Sequence, residues 1–287
     1  MSEELLGGSG GETGVAEAMA ARAGGENFPV ALRLLPARRR RQLMAVYGFA
    51  RMTDDVGDLA PPQDRLRLLD ELEADLGRLR GGSAERAEVR ALGTVVADCA
   101  IPLQLFADLI QANRQDQIVS RYQTFGDLLG YCRLSANPVG RIVLHVFGAF
   151  SAQRAELSDH VCTALQLAEH WQDIAEDLRA GRVYLPGEDM DHFGCSEADL
   201  AAAPAAPQLR ELIAFEVSRA RGMLDGGAPL VGMLGGTARA AVAGYVAGGR
   251  AALAAIAAAN YDVLGGPPPP RKRRVAAELL RAFAMGR

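Results

Sequence analysis

The stretch VYGFARMTDDVGD, residues 46–58, combines helical apolar spacing with three aspartates in five positions. Asp54 and Asp58 are spaced i, i+4, so in a helix they lie one turn apart, where like charges repel by about 0.2–0.5 kcal/mol. Arg51 and Tyr47 continue this face backward, along what we predict to be the inward, apolar side of the helix. An unpaired buried carboxylate is costly, so the pattern predicts a divalent cation as its partner. A solvated, frayed helix end is the alternative.

A second stretch, LQLAEHWQDIAEDLRAGRVYLP at residues 165–186, repeats this acidic pattern. Asp173 and Asp177 have the same i, i+4 spacing, and polar residues extend their face backward through mostly apolar sequence, which predicts a lined cavity. Two acidic helices that are far apart in the chain can face each other across a helical bundle, where metal sites are built in this way. A purely structural role for both stretches is the alternative. The polar line consists of Gln166, Glu169, Asp173, Glu176 and Asp177.

The histidines carry no site prediction. His170 adjoins the polar line but points about 100° away from Glu169 on a helix, so we expect it to serve in packing. His160 and His192 are expected to be structural or exposed.

Helical periodicity continues through the rest of the chain, with no alternating strand pattern and no internal repeat. We predict a flexible segment over residues 1–25 and one all-α domain over residues 26–287. One helix is expected to begin at Ser158 as its N-cap and to end at Gly181. GGPPPPRK at residues 265–272 predicts a rigid turn. The predicted helices cover residues 37–58, 63–81, 102–113, 125–150, 158–181, 207–227, 238–260 and 274–286.

Composition excludes several classes of function. The net charge is −4 and aromatic residues make up 6%, so we expect no nucleic-acid partner. The four cysteines lie far apart without a CxxC pair, which is typical of a reducing cytoplasm rather than of a zinc site or a disulfide framework. The start of the chain lacks a signal-peptide pattern. Residues 238–260 are Ala-rich but interrupted by Arg239 and Arg250, which favours a buried helix over a membrane span.

The two acidic stretches resemble the paired aspartate-rich motifs of the squalene/phytoene synthase family. YCRLSANPVG at residues 131–140 resembles that family's central helix, and ENFPVALRLLP at residues 26–36 resembles its substrate-entry segment. The likeness runs in order from about Glu26 to the end of the chain. ENFPVA, RQDQIVSRY and YCRLSANPVG are most similar to the hydroxysqualene synthases of the family, whereas phytoene synthases more often carry YCYxVAGxVG.

The resemblance implies an all-α isoprenoid synthase fold, a single-domain helical bundle with a central cavity and several Mg²⁺ ions between the acidic helices. No nicotinamide cofactor is expected. Glu169 departs from the family pattern, which usually has Asn on the turn before Asp173. The implied metal-binding residues are Asp54, Asp55, Asp58, Glu169, Asp173, Glu176 and Asp177. The implied catalytic residues are Tyr47, Arg51, Tyr131, Gln166 and Tyr184. The implied substrate-binding residues are Phe28, Phe49, Arg51, Arg182 and Tyr245.

The implied reaction is magnesium-dependent ionisation and rearrangement of presqualene diphosphate with capture of water, which gives hydroxysqualene and diphosphate in hopanoid and squalene biosynthesis. A presqualene diphosphate synthase and a flavin-dependent squalene-forming enzyme are the implied partners. One alternative is a head-to-head prenyl synthase that makes presqualene diphosphate, squalene or phytoene. Another is a non-catalytic helical scaffold. We expect a cytoplasmic protein. The basic runs at residues 37–41 and 271–274 are compatible with peripheral contact at the inner face of the membrane, although solvated helix starts are favoured.

Overall fold

The protein is helical throughout the residues that the computed structural model describes, 35–266 and 272–285. These residues form α-helices and short 3₁₀ helices without a strand, apart from one isolated parallel bridge between Arg121 and Val183. The all-α prediction is confirmed. The helices are α1 Ala37–Asp58, α2 Arg65–Arg78, α3 Ala87–Cys99, α4 Gln104–Gln115, α5 Phe125–Ser135, α6 Asn137–Val146, α7 Ala152–Gln172, α8 Ile174–Arg179, α9 Gly187–His192, α10 Glu197–Leu200, α11 Pro207–Gly227, α12 Gly236–Ala258 and α13 Lys272–Met285.

Some predictions fall on residues that the structure does not describe. The flexible segment at residues 1–25, the site residue Phe28 and most of the substrate-entry segment lie outside the described residues. So do the prolines of the predicted turn at residues 265–272.

The predicted helix bounds agree with the structure for some helices and not for others. The bounds of α1 and α11 agree with their predicted ranges. The range predicted as one helix at residues 125–150 is instead two. Pro138 has no N–H to donate to the Leu134 carbonyl, and its ring clashes with that carbonyl, so one continuous helix is interrupted at Ala136. The helix α3 was not predicted.

The prediction that Ser158 is the N-cap of this helix is wrong. The helix α7 begins two turns earlier, where the extended residue Ser151 accepts a hydrogen bond from the Arg154 backbone N–H at 3.3 Å. Ser158 is a buried residue inside the helix.

The long helix α7 lies at the centre of the bundle and packs against α5, α6, α11 and α12. Its approach to α6 is close at Gly140, where an added Cβ would lie 2.3 Å from Ser158 Oγ and 2.4 Å from Cys162 Sγ. Glycine is therefore required at this contact. Trp171, near the end of α7, is fully buried. The C-terminal end of this central helix carries the start of the second acidic stretch.

The Ala-rich helix α12 is long and apolar enough to cross a membrane, with a mean hydropathy of 1.4 in its most apolar window. In the structure, 67% of that window is buried inside the protein. This burial agrees with the predicted core helix.

Candidate active site

A polar pocket of about 320 Å³ opens between α1, α4, α5 and α7. Its volume falls within the range of about 300–1,000 Å³ that is usual for small-molecule sites. It brings together residues from both acidic stretches, which lie more than a hundred positions apart in the chain. The lining residues are Asp54, Asp58, Leu109, Ala112, Asn113, Asp116, Tyr131, Ser135, Gln166, Glu169, His170, Asp173, Asp177, Arg182 and Tyr184.

The first acidic wall consists of Asp54 and Asp58 at the C-terminal end of α1. Both side chains are exposed to the pocket, so the prediction that they face the apolar interior is wrong: α1 packs inward with other residues and turns these two acids toward an open space. Asp54 Oδ1 accepts a hydrogen bond of 3.2 Å from Asn113 Nδ2. Because protein replaces much of the surrounding water and Asp58 adds repulsion, the pKa of Asp54 is raised to about 6 in spite of this hydrogen bond.

The second acidic wall consists of Glu169, Asp173 and Asp177 on α7 and α8. The helix is interrupted at Asp173, whose backbone (φ −103°, ψ 13°) ends α7 and starts α8. Desolvation raises the pKa of Asp173, and the neighbouring Asp177 and Glu176 raise it further. The repulsion expected from the sequence spacing is therefore present at this wall.

Arg182 connects the two walls. After α8, Gly181 adopts a left-handed conformation (φ 82°), its N–H bonds to Leu178 O, and the Arg182 N–H bonds to Asp177 O at 2.8 Å. This is a Schellman termination, which favours glycine at the left-handed position. It directs Arg182 across the pocket, where Nη1 donates to Asp58 Oδ1 at 3.1 Å.

Asp116 is a pocket residue that the sequence did not reveal. It accepts hydrogen bonds from the Tyr131 hydroxyl at 2.8 Å and from the Tyr184 hydroxyl at 3.3 Å. Burial raises its pKa to about 6, against the lowering effects of the Tyr131 hydrogen bond and of Arg182. The i, i+3 spacing of Asn113 and Asp116 at the end of an amphipathic helix was the available signal. This carboxylate holds two tyrosine rings on one side of the pocket.

His170 both packs and lines the pocket, which corrects the expectation that it only packs. Its ring stacks on Tyr184 with centroids 3.7 Å apart, and it is 6% exposed. Its Nε2 lies 3.3 Å from Gln166 Nε2, and its Nδ1 lies 3.9 Å from Asp177 Oδ2. Burial lowers the pKa of His170, which favours the neutral imidazole.

The charge of the pocket suits hard cations. Six carboxylates line it and one guanidinium, that of Arg182, opposes them within the described part of the chain. No three acidic, histidine or cysteine side chains among the described residues converge on a single metal position. This fits Mg²⁺ nonetheless, because proteins usually hold Mg²⁺ through one or two carboxylates together with substrate phosphates.

Several predicted site residues lie beside the pocket rather than in its wall. Arg51 Nη2 pairs with Asp55 Oδ1 at 2.9 Å on α1. Tyr47 is half-buried on the same helix, and Glu176 is exposed on α8. Phe49 requires a correction: it is fully buried and packs edge-to-face against Phe106 at 5.3 Å. It therefore belongs to the core and does not contact the pocket.

A separate apolar cavity of about 90 Å³ follows the pocket along α7. Cys162 and Leu165 line this cavity, and Gln166, one turn after Cys162, lines the polar pocket. Tyr245 lies here, apart from the polar pocket, and burial raises its pKa. The cavity is lined by Val139, Gly140, Val143, Leu144, Ser158, Val161, Cys162, Leu165, Leu230, Val242 and Tyr245.

Sequence comparison finds the same family that the motifs resemble. The squalene/phytoene synthase family model matches residues 21–280. A hydroxysqualene synthase from Sinorhizobium fredii is 38% identical over 209 residues, which cover 72% of this chain and 70% of that protein. One from Rhodopseudomonas palustris is 35% identical over 208 residues, covering 71% of this chain and 70% of that protein.

Solved structures agree with the fold. The crystal structure of a squalene synthase from Alicyclobacillus acidocaldarius has a TM-score of 0.81 at 41% identity, and the match covers 88% of this chain and 95% of that chain. A dehydrosqualene synthase solved with a ligand has a TM-score of 0.82 at 24% identity, covering 95% of this chain and 96% of that one. The second likeness concerns the fold alone.

Proposed function

Because the chain belongs to the squalene/phytoene synthase family, whose members process isoprenoids, we propose that it is a hydroxysqualene synthase. The proposed reaction ionises presqualene diphosphate, rearranges the cyclopropylcarbinyl cation and captures water. The products are hydroxysqualene and diphosphate.

The observation that carries this proposal is the arrangement of two acidic walls around one pocket, with an apolar cavity one helical turn away. A diphosphate ester with a long hydrocarbon chain needs a charged compartment beside an apolar one. The apolar cavity, at about 90 Å³, is smaller than a usual ligand site, so a thirty-carbon chain requires the surrounding side chains to move.

Asp54, Asp58, Asp173 and Asp177 are proposed to hold Mg²⁺, with Asp55, Glu169 and Glu176 as further acidic positions. The bound metal would neutralise the charge that develops on the departing diphosphate. Arg182 is suited to donate hydrogen bonds to the same leaving group, because its guanidinium already faces carboxylate oxygen across the pocket.

The tyrosine rings are proposed to stabilise the cation. Tyr131 and Tyr184 lie 5.7 Å apart between centroids, and both hydroxyls are held by Asp116, so the rings are kept in place on one side of the pocket. A desolvated cation over such a ring gains about 2 kcal/mol. Tyr131→Leu is expected to increase early-quenched alcohols relative to hydroxysqualene.

Squalene formation is the second candidate function, because the solved relative at 41% identity is a squalene synthase. It would require a hydride donor in place of water. Condensation of farnesyl diphosphate to presqualene diphosphate or phytoene is the other enzymatic alternative.

The deciding experiment supplies purified protein with Mg²⁺ and either farnesyl or presqualene diphosphate, with and without NADPH, in oxygen-18 water. We expect presqualene diphosphate alone to be consumed, without reductant, and the heavy isotope to enter the alcohol. Squalene that forms only with NADPH would overturn the proposal in favour of hydride delivery, and condensation of farnesyl diphosphate would favour the prenyl synthase.

Two variants test the metal assignment. Asp54→Ala and Asp173→Ala are each expected to abolish turnover at saturating Mg²⁺ while helix content, measured by circular dichroism, stays that of the parent. Rates near wild type in both would exclude these aspartates as ligands. The proposed place of action is the cytoplasm, with a presqualene diphosphate synthase upstream and a flavin-dependent squalene-forming enzyme downstream.

A further inference from the structure

The C-terminal end of α1 carries the first acidic wall and needs support from outside the helix. Asp55 and Asp58 lie in its last turn, where the carbonyl end of the helix dipole repels negative charge, and that turn contains no basic residue. Asp54, one turn before Asp58, adds to the repulsion. The last carbonyl groups of a helix also lack donors within it. Another part of the protein must therefore hold this end in place.

Arg65, the first residue of α2, supplies such donors. Its Nη2 donates to the Asp58 carbonyl oxygen at 2.7 Å, and its Nε donates to the Ala60 carbonyl oxygen at 2.8 Å. Its Nη1 donates to Gln117 Oε1 at 3.3 Å. All three acceptors are neutral oxygens, so the half-buried guanidinium binds the end of α1 by its backbone. The Asp58 carboxylate is left to face the pocket, where Arg182 contacts it.

Gln117, two residues after the end of α4, joins the same turn to α4. Its Nε2 donates to the Gly57 carbonyl oxygen at 3.2 Å and to the Asn113 carbonyl oxygen at 2.9 Å. The two helices approach so closely here that a Cβ added at Gly57 would lie 2.1 Å from Asn113 Oδ1. The backbone at the end of α1 is thus hydrogen-bonded at Gly57 from one side and at Asp58 from the other.

We propose that Arg65 is a positioning residue of the first acidic wall. Together with Gln117 it fixes the turn that carries Asp54 and Asp58, so that both carboxylates are held toward the pocket and bind Mg²⁺ more tightly. The inference rests on the proposed function, because it concerns the metal that this function requires. Position and charge act in opposite directions here. Removal of a nearby positive charge would by itself tighten Mg²⁺ binding, whereas loss of the fixed turn would weaken it.

The first test is calorimetry of Mg²⁺ binding with inorganic diphosphate present and no prenyl substrate. Arg65→Met keeps an unbranched side chain and removes the charge and all three donors. We expect the Mg²⁺ dissociation constant to rise about tenfold, the effect of roughly one lost hydrogen bond. Arg67→Met is the matched control, because Arg67 lies on the same helix and bonds to Asp64 and Glu71 instead of α1. Its dissociation constant should change less than about twofold, since an exposed charge is screened.

An unchanged or lower dissociation constant in Arg65→Met would overturn the inference, because removal of charge alone predicts that direction. A lower free energy of unfolding with an unchanged dissociation constant would show that Arg65 stabilises the fold only, and would overturn it too. A wild-type protein that binds no Mg²⁺ under these conditions would have the same consequence.

Gln117→Leu repeats the test without a change of charge. It removes the bond to the Gly57 carbonyl oxygen and the acceptor of Arg65, so we again expect weaker Mg²⁺ binding. Should Arg65→Met not fold, this variant decides the inference. If both residues act through one turn, the double variant should weaken binding by less than the product of the two single changes. Independent effects, or an unchanged dissociation constant in Gln117→Leu, would overturn the shared role.

The second test needs no metal and follows amide hydrogen exchange in the metal-free protein. In the last turn of α1 the Leu59 N–H donates to the Asp55 carbonyl oxygen at 2.9 Å, and at the other end the Arg40 N–H donates to the Pro36 carbonyl oxygen at 3.0 Å. Arg65→Met should speed exchange at Leu59 about tenfold and leave Arg40 unchanged. Equal rates at Leu59 in variant and wild type would overturn the inference.

Failure of the proposed function would look different. A wild-type protein that forms squalene from presqualene diphosphate, or that condenses farnesyl diphosphate, would refute hydroxysqualene formation. The Mg²⁺ dissociation constants of wild type, Arg65→Met and Arg67→Met would still decide the role of Arg65, because they are measured without turnover.

Discussion

At the scale of single residues, the pocket is defined by carboxylates that repel one another. Asp54 gains a hydrogen bond from Asn113 and Asp58 gains one from Arg182, yet the pKa of Asp54 remains raised by desolvation and by its acidic neighbours. Such a site gains free energy from any ligand that brings positive charge.

The raised pKa of Asp54 predicts competition between protons and Mg²⁺. With a pKa of about 6, Asp54 is mostly ionised at pH 7 and mostly protonated at pH 5. Since only the ionised form binds a metal, the Mg²⁺ dissociation constant should rise about tenfold between pH 7 and pH 5. Calorimetry on the substrate-free protein measures it, and Asp54→Asn should flatten the dependence. If the Mg²⁺ dissociation constant changed equally with pH in wild type and in Asp54→Asn, Asp54 would lie outside the metal site.

We predict that the Glu169 carboxylate strengthens Mg²⁺ binding. It adds a charge to the second acidic wall, one turn before Asp173. Glu169→Asn should therefore raise the Mg²⁺ concentration for half-maximal rate by about threefold, which is the effect of one unit charge at this range in a solvated pocket. Glu88→Gln, on the exposed surface of α3, is the control. Identical Mg²⁺ titrations in wild type and Glu169→Asn would show that Glu169 lies away from the metal.

At the scale of elements, the site depends on how two helices end. The α5–α6 break at Ala136 separates Tyr131 and Ser135, which line the polar pocket, from Val139, which lines the apolar cavity. The turn after α8 sends Arg182 back across the pocket to Asp58.

Gly181 and Gly222 form a matched pair for testing this turn. Gly181→Ala forces a side chain into a left-handed backbone (φ 82°) and should destabilise the protein by about 1 kcal/mol or more. Gly222→Ala, inside α11 with open space for a Cβ, should stabilise it by about 0.5–1 kcal/mol. Urea unfolding measures both. Since the turn directs Arg182, KM should rise in Gly181→Ala only; an equal KM in both variants would contradict that link.

At the scale of the whole molecule, a charged cluster joins α11 to α9 and α5. Arg219 on α11 donates to Asp189 of α9 at 2.9 Å and lies 4.0 Å above the Phe125 ring of α5. Glu216, fully buried on α11, is 3.2 Å from the same guanidinium. Burial, and then hydrogen bonding with Asp189, raise the pKa of Glu216 to about 8, against the lowering effect of Arg219.

This cluster predicts a pH-dependent stability. A carboxyl whose pKa rises from 4.5 unfolded to about 8 folded binds more protons in the folded state, so its stabilisation is present at low pH and is lost as pH rises through 8. Between pH 7 and pH 8 the free energy of unfolding should fall by at most about 1.4 kcal/mol from this group. Glu216→Gln should abolish that part of the slope in urea unfolding. An unchanged slope would mean that Glu216 is ionised in the folded protein.

The sequence by itself determined the all-α class, the bounds of α1 and α11 and the two acidic stretches. Periodicity and i, i+4 spacing are local properties, and they are written in consecutive residues. Which residues line the pocket was decided by the tertiary structure. Phe49, on the same helix as Asp54, turned out to be core, and His170 turned out to line the pocket. Asp116, at the end of a helix with no acidic pattern, also lines the pocket. Which helix faces meet depends on how separate helices pack, and only the folded bundle decides that packing.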